Sequence, residues 1–251
     1  MIDFHTHVLP RLDDGARNAD VSIRMLQSAK EQGVGTVIAT PHYYGKNRSP
    51  AQFLQDRDLA YERLLPYLPE GLQIKLGAEV YFSERVPIDG ERLRKLSIAD
   101  TRYILIELPF VAKWGKSLYT RLSEFMTDTD CVPVLAHVDR YNAFVRKPVL
   151  LREFIAMGCL AQINAAAFLE KKVRNFAFSM LKHGYVHCLG TDMHDMDKRG
   201  CDYQKALETI DGQGMSADLE KLQENMRRML ADERLEISVP KKIFRLFGNY
   251  R

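Results

Sequence analysis

Residues 1–15, MIDFHTHVLPRLDDG, set the terms for the rest of the chain. Ile2, Asp3 and Phe4 read as a short strand, and His5 and His7 follow two apart. On a strand, residues i and i+2 point the same way, so both imidazoles face one point. Asp13 and Asp14 come a few residues later, with Gly15 to let the loop turn tightly. Two imidazoles aimed together with a carboxylate close behind make a plausible start to a metal site. A single H-x-H taken alone reads more readily as a pair of ordinary histidines, so the decision falls to the other strand ends.

Downstream, strand and helix patterns alternate. Asn18 or Asp20 can cap a helix running to about Gln32 and closed by Gly33, with Val21, Ile23, Met25, Leu26 and Ala29 as its apolar stripe. GTVIAT is a β-branched run that reads as a buried strand ending in Pro41-His42. Ser49-Pro50 starts a helix carrying Phe53, Leu54, Leu59, Tyr61, Leu64 and Leu65. The later strands are LQIKLGAEV to Glu79, RYILIEL to Glu107, CVPVLAH to His137, LAQIN to Asn164 and YVHCLGTD to Asp192. Helices are expected near Glu91–Leu96, Lys116–Thr129, Pro148–Met157, Asn175–His183, Tyr203–Ile210 and Ser216–Ala231. Seven alternations with no G-x-G-x-x-G predict an α/β fold with a parallel sheet, a barrel rather than an open sheet, in one domain spanning residues 1–251. From about Val239 a short basic tail follows, in which Lys241, Lys242, Arg245 and Arg251 interleave with Ile243, Phe244, Leu246 and Phe247. It reads as a basic helix packed on its own barrel, with a partner or an anionic membrane surface as the alternative.

Composition narrows the class. A hydrophobic fraction of 46% and a charged fraction of 27% are those of a globular protein, and a net charge of +3 argues against nucleic acid. No apolar run is long enough to span a bilayer, and Met1 leads directly into a strand and a polar motif, so no secretory signal is expected and the location is read as cytoplasmic. Cys131, Cys159, Cys188 and Cys201 form no C-x-x-C pair and read as free thiols in a reducing compartment.

The strand ends then carry His5 and His7, His42, Glu79, Glu107, His137, and Asp192 with His194, while Asp14 lies on the first loop. In a β/α barrel the C-terminal rim is where active sites are built. Only the Asn164 strand brings no imidazole or carboxylate. Each residue alone could be a solvated edge residue or a hydrogen-bonded core histidine. Together they would repel and desolvate one another without cations, so more than one metal ion is expected, with Mn, Fe or Zn better suited than Ca or Mg. His183, at a helix end, and His187, inside a strand, are read as structural. Arg140, three residues after His137, and Lys198 with Arg199, shortly after His194, suggest an anionic substrate, most simply a phosphate ester. For Arg199 an ordinary surface role stands equally beside this one. No cysteine has an arginine six residues on, so the C-x5-R loop of thiol-based tyrosine phosphatases is absent and phosphate removal would use metal-activated water.

In order along the chain, His5-Thr6-His7, Asp14-Gly15, Thr40-Pro41-His42, Gly77-Ala78-Glu79, Glu107, Ala136-His137-Val138-Asp139-Arg140-Tyr141 and Thr191-Asp192-Met193-His194 resemble the PHP superfamily. More closely, the chain resembles the bacterial CpsB/CapC-type manganese-dependent protein-tyrosine phosphatases, over Met1 to roughly Ala231. The resemblance implies a distorted (β/α)7 barrel holding three divalent ions, Mn2+ first, with Fe, Co or Zn as substitutes. It implies that His5, His7, Glu79 and Asp192 hold one ion; that Glu79 bridges to a second, held also by Glu107 and His137; and that Asp14, His42 and His194 hold the third. It implies a phosphoric monoester hydrolase whose substrate is a phosphotyrosine protein, a bacterial tyrosine kinase controlling capsule or exopolysaccharide export. Membrane contact would come only through that substrate; a homo-oligomer is left open. The catalytic candidates are Arg140, Asp192 and Arg199. Other readings are a histidinol-phosphate-type small-molecule phosphatase of the same superfamily, a nuclease, and a non-catalytic metal-binding interaction protein.

Overall fold

The computed structural model describes residues 1–46, 48–83, 93–111, 113–246 and 249–250. Nine strands and eight α-helices of the described residues alternate up to Leu230: β1 Ile2–Thr6, α1 Ala19–Glu31, β2 Thr36–Ala39, β3 His42–Tyr43, α2 Pro50–Leu64, β4 Gln73–Leu76, β5 Glu79–Tyr81, β6 Tyr103–Glu107, α3 Lys116–Thr129, β7 Val132–Leu135, α4 Asn142–Arg146, α5 Pro148–Ala156, β8 Leu160–Asn164, α6 Arg174–Lys182, β9 Cys188–Gly190, α7 Tyr203–Asp211 and α8 Ser216–Leu230. A hairpin, β10 Arg245–Leu246 with β11 Asn249–Tyr250, ends the chain. The helix expected at Glu91–Leu96 begins outside the described residues, as do Phe247 and Arg251 of the tail.

Two parallel sheets carry the fold, in the orders β1-β2-β4 and β3-β5-β6-β7-β8-β9. β2 and β3 are one run of chain interrupted at Thr40-Pro41, and β4 and β5 are another interrupted at Gly77-Ala78, so both sheets belong to one mixed α/β half-barrel. Hydrogen bonds link β1 to the chain just beyond β9: His7 N–H to Met193 O at 3.0 Å and Asp192 N–H to His5 O at 2.8 Å. The GTVIAT and LQIKLGAEV strands are thus each shorter than a continuous reading expects. Proline at position 41 has no amide hydrogen for a ladder, and at the second break the buried Arg57 guanidinium donates to Gly77 O at 3.3 Å.

The helices follow their sequence signals closely. Asn18 caps α1 by accepting from Val21 N–H at 2.9 Å, and Ser49 caps α2 by accepting from Gln52 N–H at 3.2 Å, with Pro50 at the first helical position. α1 buries Val21, Met25, Leu26 and Ala29, but Ser22 takes the buried place expected of Ile23, which is only half-buried. On α2 the inner face is Phe53, Arg57, Ala60 and Leu64, while Leu59 and Leu65 are exposed. Sequence periodicity did not mark α4, a five-residue helix.

The tail packs on the body of the protein, but as a hairpin rather than the expected helix. Arg152 Nε donates to Pro240 O, Tyr185 OH to Lys241 O and Tyr250 OH to Val145 O, each at 2.8 Å, and Ile243 is buried. No helix among the described residues is long and apolar enough to cross a membrane. Cys131, Cys159 and Cys188 are buried free thiols, and Cys201 is half-buried.

The two histidines read as structural are so placed. His183 ends α6 with Nδ1 donating to Ser179 O at 2.8 Å. Buried His187 accepts at Nδ1 from Ala161 N–H at 3.1 Å, and burial, with the Lys221 charge beside it, pushes its pKa down to about 4. The unfolded chain takes up a proton near the ordinary value of about 6.5, whereas the fold does not until about 4, so this group removes stability as pH falls through that window. His187→Gln keeps an acceptor but loses the titration. Between pH 7 and pH 5 the native protein should lose roughly 1–2 kcal/mol more unfolding free energy than the variant, read by denaturant titration at both pH values.

Candidate metal centre

Glu79, fully buried, opens β5 and lies in register with His42, the first residue of β3. Its Oε2 lies 3.1 Å from His5 Nε2, 3.2 Å from His7 Nε2 and 3.1 Å from His42 Nδ1, and its Oε1 accepts from His137 Nε2 at 2.7 Å. Asp192 Oδ1 lies 3.4 Å from His7 Nε2 and 3.6 Å from both His5 Nε2 and His194 Nδ1. Glu107 Oε1 is 3.4 Å from His137 Nε2. Asp14, exposed on the first loop, brings Oδ1 to 3.5 Å from His42 Nε2 and 3.4 Å from His194 Nε2. All nine residues singled out as metal ligands therefore converge. Three groups have donor atoms within 4.8 Å of one another: His5, His7, Glu79 and Asp192; His7, Asp14, His42 and His194; and His42, Glu79 and Glu107. In the last, His42 stands where the resemblance implies His137.

Local backbone shape delivers these side chains. His5 lies within β1 and His7 just past its end, so the two rings turn to the same side. His137 and Asp192 lie beyond β7 and β9, not at the ends of longer strands, and both are left-handed, with φ of 32° and 56°. Neither has glycine's tolerance for that region, and such strain collects at functional sites. Gly15 is required by close approach: a Cβ there would sit 2.3 Å from His7 O. At Gly190 a Cβ would lie 2.7 Å from His5 Cβ, so only glycine lets β9 come this near β1.

A surrounding layer of polar groups fixes which nitrogen of each ring faces inward. Asp13 Oδ2 accepts from His7 Nδ1 at 2.7 Å, Gln162 Oε1 from His5 Nδ1 at 3.1 Å, and Asp192 O from His194 Nδ1 at 2.9 Å. A neutral ring bonded in this way presents Nε2 as an inward lone pair, the form that a cation would select. His5 Nε2 and His7 Nε2 are then only 3.0 Å apart. His42 Nδ1, His137 Nδ1, Asp192 Oδ1 and His194 Nε2 are buried without a hydrogen-bond partner; His42 Nδ1 is near Glu79 but not aligned with it. An unsatisfied buried group costs about 1–3 kcal/mol, and a cation can satisfy several at once. Imidazole mixed with carboxylate suits a transition metal. The residues present thus fit divalent metal ions.

The charges agree. Burial disfavours an ionised Glu79, yet His5 and His137 outweigh it and hold the carboxyl well below its usual range. Burial likewise opposes ionisation of Asp192, and His5 and His7 outweigh it. Burial would lower His137, but Glu79 and Glu107 raise it to about 10. For His194, burial and the neighbouring His7 charge act together and push it down to about 3.

The arginines meet at one atom. Asp192 Oδ2 accepts from Arg140 at 3.2 Å, Arg199 at 2.6 Å and Asn164 Nδ2 at 3.2 Å. Both side chains are about a third or more exposed, and each has further N–H donors beyond the one spent on Asp192. Lys198 is exposed and lies away from this contact, with its backbone N–H on Asp195. Half-exposed Tyr44 stacks on His42 at 5.1 Å, and half-exposed Phe110 on His137 at 5.7 Å, so aromatic rings frame the opening.

The family description "Capsular polysaccharide synthesis, CpsB/CapC" matches residues 1–231. The chain belongs to the CpsB/CapC family. It is 31% identical to tyrosine-protein phosphatase YwqE of Bacillus subtilis, over 99% of each chain. It is 30% identical to tyrosine-protein phosphatase CpsB of Streptococcus pneumoniae, over 93% of this chain and 99% of that one. Its fold superposes with a TM-score of 0.86 and 28% identity on a crystal structure from a study of YwqE and CpsB, called there unique metal-dependent tyrosine phosphatases; 98% of this chain and 100% of that one are covered.

Within this CpsB/CapC chain, sequence reasoning missed Gln162 and Asn164. The Asn164 strand brings no ligand, but Gln162 also accepts from His137 N–H at 2.6 Å and donates to Asn164 Oδ1 at 3.0 Å, so one Q-x-N pair orients His5, His137 and Asp192. The signal was available: two amides two apart on a strand share the ligands' face. Gln162→Leu frees the His5 ring and should weaken metal affinity about 10- to 100-fold, measured by competition with a chelating dye, with metal raising the melting temperature less than in the native protein.

Proposed function

We propose that this chain is a metal-dependent protein-tyrosine phosphatase of capsule or exopolysaccharide synthesis that hydrolyses phosphotyrosine on a bacterial tyrosine kinase in the cytoplasm. The observation that carries it is the convergence of nine ligand side chains with two guanidinium groups at one ring-framed mouth, in a chain of the CpsB/CapC family. The fold is read as a distorted seven-unit β/α barrel forming one domain with a short basic tail.

His5, His7, Glu79 and Asp192 would hold one divalent ion, Glu79, Glu107 and His137 a second, and Asp14, His42 and His194 a third, with Mn2+ the expected metal. When bound, these ions supply Lewis acidity and lower the pKa of a water to ~7. The protein's own groups do the rest. Arg140 and Arg199, each spending one contact on Asp192 Oδ2, keep forked donors for the phosphoryl oxygens and stabilise charge there. Asn164 holds Asp192 from the inner side so that it does not follow the guanidinium groups outward. Phe110 and Tyr44 offer apolar faces to the tyrosyl ring. A phenol has a pKa of about 10, so the leaving group needs less protonation help than an alkoxide would.

Phosphate release from a phosphotyrosine peptide should require added Mn2+ and be abolished in Asp192→Ala. Turnover of histidinol phosphate in preference to the peptide would replace this reading with the small-molecule one. Arg140→Ala should lower kcat/KM on the order of 100-fold with bound metal unchanged, as counted by elemental analysis; equal loss of metal would remove the phosphate-binding role.

A further inference from the structure

Beside the candidate site, a groove of about 510 Å3 runs from Phe110 and Val111 to Lys113 on one side and from Arg140 to Arg146 and Lys147 on the other. Its size is that of a ligand pocket. Four of its lining side chains are cations and none is an acid, although the whole chain carries a net charge of only +3. Arg140 is committed to Asp192. Lys113, Arg146 and Lys147 are exposed and make no ion pair among the described residues. Like charges gathered around one concavity raise its potential and favour an anionic occupant. The floor is apolar and fixed: Phe110, 51% exposed, stacks on Tyr141 at 4.7 Å and lies under the Arg140 guanidinium at 5.5 Å. Arg140 and Phe110 belong to groove and site at once, so a chain held at the site by its phosphotyrosine continues into the groove.

We propose that this groove is a specificity subsite that receives an acidic segment flanking the phosphotyrosine, through Lys113, Arg146 and Lys147. The proposal rests on the phosphatase reading above and names its substrate class: phosphotyrosine followed or preceded by carboxylates or by a further phosphate. Rim charges of this kind act on encounter and on KM rather than on the chemical step.

The test uses metal-loaded full-length protein and the variant Arg146→Gln/Lys147→Gln, both exposed positions outside the catalytic cluster. Three phosphotyrosine peptides differ only in flanks of glutamine, glutamate or phosphoserine; p-nitrophenyl phosphate is the unflanked control. At low salt the native protein should favour one or both anionic flanks over glutamine by about three- to tenfold in kcat/KM, mostly through KM. The variant and higher salt should abolish that preference, with p-nitrophenyl phosphate turned over equally by both proteins. The anionic peptide preferred tells carboxylate from phosphate. Equal rates for all flanks in the native protein, or a preference that survives in the variant, overturn the groove while leaving the phosphatase reading intact. If none of the peptides nor the control is hydrolysed, the phosphatase reading fails instead. Fluorescence anisotropy of the same peptides then decides the groove, because equal binding by native and variant protein overturns it and weaker binding of the anionic peptides by the variant sustains it.

Discussion

The buried Glu79 carboxylate, with four imidazole nitrogens within 2.7 to 3.2 Å of its two oxygens, is the constraint that the rest of this structure accommodates. Such a cluster cannot be left to relax. Inward lone pairs repel one another, and side chains free to rotate would turn them outward to water. The fold prevents this from behind, with Asp13 on the His7 ring, Gln162 on the His5 ring and a backbone carbonyl on the His194 ring, while Gln162 also holds the His137 backbone. The strands themselves are tied at the same place. Buried Asp3 in β1 accepts from Thr191 N–H at 2.8 Å and Thr191 Oγ1 at 2.6 Å, joining the first strand to the segment that presents Asp192. Burial raises Asp3 to about 6 despite those bonds. Metal site and sheet geometry are therefore one problem, solved by the same hydrogen bonds.

What was legible in the sequence was whatever follows from spacing. Strand and helix alternation, the caps at Asn18 and Ser49, the glycine stops at Gly158 and Gly184, and a ligand at each of six strand ends all depend on local patterns. The misses share a different cause. Strands β7 and β9 stop before His137 and Asp192 because the chain turns left-handed there, and nothing in HVDRY or TDMH announces a positive φ for a histidine or an aspartate. The roles of Gln162, Asn164 and Asp3 belong to contacts between distant strands, and an isolated strand reads only as buried. Asp139, given no role of its own from sequence, is 7% exposed and accepts from Asn164 N–H at 2.9 Å, which fastens the Arg140 turn to β8. The tail was misjudged because alternating basic and apolar residues satisfy a helix face and a short hairpin equally well.

The site divides into a rigid floor and a wet rim. Glu79, His5, His7 and His137 are at most 1% exposed and bonded on several sides, whereas Asp14, Tyr44, Phe110, Arg140 and Arg199 reach solvent. A phosphoryl group entering from the mouth meets part-exposed guanidinium groups first and the buried cluster behind them. That order suits an ester whose organic part stays at the rim, where rings and cations reach solvent.

Thiol chemistry can be set aside on the same physical grounds. Burial raises the pKa of Cys131, drives Cys188 well above the ordinary thiol value, and pushes Cys159 and Cys201 up to about 12. A thiol nucleophile needs the opposite, a thiolate stabilised by nearby cations or a helix N-terminus and open to its substrate. Arg140 and Arg199 lie instead against Asp192, among imidazoles and carboxylates. No cysteine therefore offers a ready thiolate at this mouth, which agrees with the water of metal-lowered pKa in the proposed function.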